Sequence, residues 1–96
     1  MAFVQIIEYK TKRFDEVANL IEKFRSVPSP ETEPTRATVT KNRDQADSYL
    51  TIVEFDSYEK AMANSNRPET GEMAKAMAEL CDGPPKFANL DVLDQM

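Results

Sequence analysis

Apolar positions along this chain switch between a period of two and a period near 3.6, the spacings of a strand and of a helix. Residues 2–9, AFVQIIEY, are β-branched and aromatic and predict an opening strand. FDEVANLIEKF follows, with Phe14, Val17, Ala18, Ile21 and Phe24 at helical spacing. The prolines of RSVPSPETEP stop that helix near Ser26 and predict a restrained loop to about Pro34, placed to act as a lid. TRATVTK and SYLTIVEF suit strands, and the polar NRDQAD between them suits a hairpin connection. Two helical stripes come next, Tyr58, Ala61, Met62 and Ser65 in SYEKAMANS, then Met73, Met77 and Leu80 in PETGEMAKAMAELC. Gly83 supplies a C-terminal cap to the second, two prolines forbid its continuation, and KFANLDVL is a last strand.

The order strand, helix, strand, strand, helix, strand is the ferredoxin-like βαββαβ arrangement of the α+β class, an antiparallel four-stranded sheet with helices on one face. Residues 1–96 are expected to form one such domain, with its second helix split. The split falls in ANSNRPETGE. There Asn66 and Glu69 read as a capping-box pair, and Pro68 fits a first helical turn because its missing amide would be orphaned anyway. Asn64, Ser65 and Arg67 also stand where they can contact a polar ligand group.

Alternation separates the two faces of the sheet. Val4, Ile6, Ala37, Val39, Leu50, Ile52, Ala88, Leu90 and Val92 are expected under the helices, being small aliphatics. The other face then carries Phe3, Gln5, Ile7, Tyr9, Arg36, Thr38, Thr40, Tyr49, Thr51, Val53, Phe55, Phe87, Asn89, Asp91 and Leu93. Leaving its large side chains wet would forgo roughly 1.5 to 3 kcal/mol each, so a second copy of the chain is the economical cover and a homodimer is expected. The polar groups on that face call for a cavity, or else sit at its rim or pair with one another, as Arg36 and Asp91 can.

Composition narrows the chemistry. The formal charge is −5 with no long basic run, which argues against nucleic acid or an anionic membrane surface as partner. No apolar run approaches the roughly 20 residues of a membrane span. Histidine and tryptophan are absent, and the one cysteine, Cys81, cannot form an internal disulfide or build a metal site. At a helix C-terminus its thiolate is disfavoured, so it reads as a packed side chain rather than a nucleophile. No phosphate loop or nucleophile elbow occurs among two glycines. A cytoplasmic protein without metal or cofactor is expected. The Met62, Met73 and Met77 stripe reads as core or as an adaptable ligand wall.

IVEFDSYEKAM and NSNRPETGEMAKAMAELCDGPPKFANLDV resemble the dimeric α+β barrel superfamily, and within it the antibiotic biosynthesis monooxygenase-like domains, small actinobacterial ones in particular. The likeness spans nearly the whole chain. It implies a dimeric α/β barrel, with a cavity for a small apolar or aromatic ligand and cofactor-independent oxygenation of aromatic or polyketide-like substrates, or else a non-catalytic binding, regulatory or scaffold role. In such oxygenases an aromatic ending the third strand, usually tryptophan, and an asparagine on the first strand line the cavity; Phe55 and Gln5 or Ile7 stand there in this chain. The haem-degrading relatives use an axial histidine, which this chain lacks. The expected ligand-binding set is Gln5, Ile7, Arg36, Tyr49, Phe55, Asn64, Phe87 and Asn89. Tyr49, as a fixed phenol donor, and Asp91, as a general base, are the catalytic candidates, although Tyr9 and Tyr49 also read as ordinary interface tyrosines and Phe3, Phe55 and Phe87 as plain core.

Overall fold

The computed structural model describes residues 2–25 and 34–95. The expected lid, from Ser26 on, lies almost wholly outside them. β1 (Phe3–Lys10), α1 (Phe14–Arg25), β2 (Arg36–Lys41), β3 (Ser48–Phe55), α2 (Tyr58–Ser65), α3 (Pro68–Leu80) and β4 (Lys86–Asp91) follow in chain order. The strands make one antiparallel sheet in the order β2-β3-β1-β4, and the α+β, ferredoxin-like expectation stands with its second helix divided.

The faces of the sheet are not as alternation alone assigned them. Phe3, Gln5, Ile7 and Tyr9 of β1 lie opposite Phe55, Val53, Thr51 and Tyr49 of β3. It is this row that meets the helices: Phe3 and Phe55 bury Ala61 of α2, while Tyr9 is buried with Val17 of α1 and Met77 of α3. The register carries Phe87, Asn89 and Asp91 of β4 to the same side. It also brings Ala37 and Val39 of β2 there, the part of the expected helix-covered set that keeps its place. Val4, Ile6, Leu50, Ile52, Ala88 and Leu90 face away from the helices. The physical reason is charge: Glu8, Lys10, Glu54 and Lys86 share the row of Val4 and Ile6 and would be buried without partners under a helix, whereas Phe3, Phe55 and Tyr9 bury large apolar area there.

The helix ends show what divides α2 from α3. Ser57 caps α2, its hydroxyl accepting from the Lys60 amide at 3.2 Å. Asn66 caps the C-terminus of α2 instead of opening a capping box. Arg67 is the N-cap of α3 and Pro68 its first residue, where a proline costs no hydrogen bond. α3 ends at Leu80 with an extended Cys81 as C-cap, so Gly83, with φ of 99°, serves the turn beyond and not the cap itself.

That C-terminus is held from the β1–α1 junction. The Thr11 hydroxyl donates to the Leu80 carbonyl at 2.6 Å and Arg13 Nη2 to the Glu79 carbonyl at 2.8 Å, supplying donors to carbonyls a helix end leaves orphaned. Thr11 is fully buried, and its oxygen also accepts from the Arg13 amide at 3.0 Å.

Candidate functional site

The helix side of the sheet divides into a filled centre and two open flanks. At the centre of one end, Phe3 and Phe55 are buried with Ala61, and Tyr58 meets the Phe3 ring edge-on at 5.4 Å. At the other end an aromatic stack runs from Phe14 of α1 over Tyr49 to Tyr9, with ring centroids 4.4 and 5.8 Å apart. Tyr9 is 2% exposed, and its hydroxyl shares a hydrogen bond with Thr51 Oγ1 at 3.2 Å. Burial pushes its phenol above the ordinary range, with the Thr51 bond acting in the opposite direction.

The flank over β2 holds an apolar groove of about 210 Å³ lined by Phe14, Ala18, Ile21, Glu22 and Val39. Around Phe14 it adjoins a wider polar depression of about 360 Å³ at the β1–α1 corner, whose lining includes Thr11, Lys12, Arg13, Asp47 and Tyr49. Over β4 the sheet is left open. There Gln5 Nε2 donates to Asn89 Oδ1 at 3.1 Å, with Ile7 opposite Phe87 beside the pair. Phe87 is 57% exposed, so no helix seals that strip.

The expected site residues are thus distributed rather than gathered. Gln5, Ile7, Phe87 and Asn89 share the β4 flank, with Asp91 beyond them opposite Phe3. Tyr49 stands on the other flank, in the stack and on the wall of the polar depression. Phe55 is buried at 2% exposure in the core between them. Arg36 lies on the opposite face of the sheet, where its Nε is 3.7 Å from Glu54 Oε2, so an Arg36 and Asp91 pair does not form: the two belong to opposite edge strands and opposite faces. Met73 and Met77 pack around Tyr9, and Met62 packs beside Phe3 and Phe55.

Asn64 belongs to the break between α2 and α3, and that break is built around Arg67. The Arg67 side chain is 14% exposed. Its guanidinium bonds Glu69 Oε2 at 3.2 Å and Asn64 Oδ1 at 3.3 Å, and lies 5.3 Å from the centre of the Phe24 ring on α1. The Asn64 carbonyl accepts from the Thr70 hydroxyl at 2.6 Å. These contacts tie the polar run into the junction of α1, α2 and α3.

In the sequence Phe14 is one member of a helical stripe, yet it borders both depressions. Its position as the first residue of α1, directly after the corner at Thr11, is the signal that sets it apart. Thr11 and Arg13 carried no such signal, since their partners are carbonyls of a distant helix.

The remaining titratable shifts belong to structure. Asp56 is held below the usual carboxylate range, first by the hydrogen bond from Lys60 and then by that from Thr35. Burial, with Asp82 nearby, raises the Cys81 thiol and leaves it a poor nucleophile. Among the described residues no group of three or more His, Cys, Asp or Glu is placed to hold a metal ion, and no helix is long and apolar enough to cross a membrane.

No protein-family model matches the sequence, and no curated protein matches it. Solved structures do match the fold. SnoaB, a cofactor-independent oxygenase from Streptomyces nogalater, is similar with a TM-score of 0.75 and 16% identity, over 99% of this chain and 96% of its own. An antibiotic biosynthesis monooxygenase-like protein of Caulobacter crescentus reaches a TM-score of 0.83 at 14% identity, over 97% of this chain and 91% of its own. One from Nitrosomonas europaea gives 0.79 at 13%, over 96% and 90%. Likeness at such identities speaks to architecture: this chain has the ferredoxin-like α+β fold found in the antibiotic biosynthesis monooxygenase-like proteins.

Proposed function

We propose that the chain works in the cytoplasm as a single-domain, homodimeric small-molecule-binding protein, with cofactor-independent oxygenation of an aromatic or polyketide-like compound as the activity to test. The observation that carries the binding reading is the apolar groove between α1 and β2, walled by Phe14, Ala18, Ile21 and Val39, with the Phe14 ring stacked on Tyr49 at its end. Apolar walls with a few polar groups at one end suit a flat, largely apolar ligand. Support for oxygenase chemistry comes from the fold shared with SnoaB.

The dimer is argued from the face of the sheet turned away from the helices. Val4, Ile6, Leu50 and Ile52 are half-buried there and Leu90 is 44% exposed, a contiguous apolar surface across three strands. Arg36 with Glu54, and Glu8 opposite Lys86, give that face a charged rim. An apolar centre within a polar rim is the layout of an interface between copies.

A non-catalytic binding, regulatory or scaffold role is the second reading, favoured by the groove itself. Among the described residues its walls carry Glu22 as the one titratable side chain, beside Phe14, Ala18, Ile21 and Val39. Oxygen uptake by the purified protein with a panel of aromatic diphenols and anthrone-type compounds separates the readings. Uptake that Tyr49→Phe diminishes supports the enzyme. Ligand-dependent melting shifts without uptake support the binder, and neither response to any member of the panel leaves the scaffold.

A further inference from the structure

We draw no further inference here: the strongest candidate, the polar depression of about 360 Å³ at the β1–α1 corner between Lys12, Arg13, Asp47 and Tyr49, rests on the N-terminus of one helix and a mixed set of charges, and nothing in the structure points to a ligand there.

Discussion

Thr11 and Leu80, 69 positions apart, are joined by a 2.6 Å hydrogen bond from a fully buried hydroxyl to the last carbonyl of α3. Thr11→Val keeps the volume but leaves that carbonyl without its donor and the Arg13 amide without its acceptor. We expect a loss of about 1 to 3 kcal/mol, seen as a lower denaturant midpoint at unchanged slope, with Thr11→Ser recovering most of it. A midpoint unchanged in Thr11→Val would mean that the corner does not hold α3.

Arg67 makes the comparable junction at the other end of α3. Removing its guanidinium gives up the Phe24 contact and the bonds to Glu69 and Asn64, and Glu69 is 44% exposed, so solvent screens the ionic part. Arg67→Ala should cost about 1 to 2 kcal/mol, or roughly 4 to 8 °C in melting temperature for each kcal/mol. Added salt should recover little of the difference, because the ring contact and partial burial dominate.

Tyr9 gives a dependence on pH with a definite sign. Its phenol is raised above the ordinary 10.0 in the folded chain, so the fold favours the neutral form. The associated stability is fully present below the unfolded value and is lost as pH climbs from there through the folded value. Thermal melts should therefore fall more steeply above pH 10.0 in the wild type than in Tyr9→Phe, and the two curves should run parallel below it. Parallel curves across the whole alkaline range would remove the buried phenol from the account.

Much of the architecture is legible in the residues alone. Period and punctuation locate every element, since β-branched runs, helical stripes and the Pro68 and Gly83 signals act locally. The faces of the sheet were harder, because both rows of β1 are apolar: Val4 and Ile6 on one side, Phe3, Ile7 and Tyr9 on the other. Glu8, Lys10, Glu54 and Lys86 share the row of Val4 and Ile6, and that charge at its ends marks the face that no helix covers. The site was least legible. Arg36 and Asp91 can be paired on paper, but the order β2-β3-β1-β4 puts them on opposite edges, a consequence of long-range pairing that no local pattern carries. Likewise the bond from Arg67 to the Asn64 side-chain oxygen joins residues whose local pattern reads only as polar.

Adjacent positions on β3 test the assignment of faces. Ile52 looks away from the helices, whereas Val53 packs against the Phe3, Phe55 and Ala61 cluster. Ile52→Asp should leave a folded single chain by circular dichroism and sedimentation, since its charge meets solvent once the copies part. Val53→Asp should unfold the protein instead, because an unpaired carboxylate would enter the core. The reverse pattern would invert the faces again.

The central claim is that the Val4, Ile6, Leu50 and Ile52 face is closed by a second copy while the helix side serves a ligand. Sedimentation velocity of the wild-type chain at micromolar concentration tests it most directly. A single species of twice 10.9 kDa is predicted. A stable, soluble species of one chain mass would contradict it, because that apolar surface would then stand open to water.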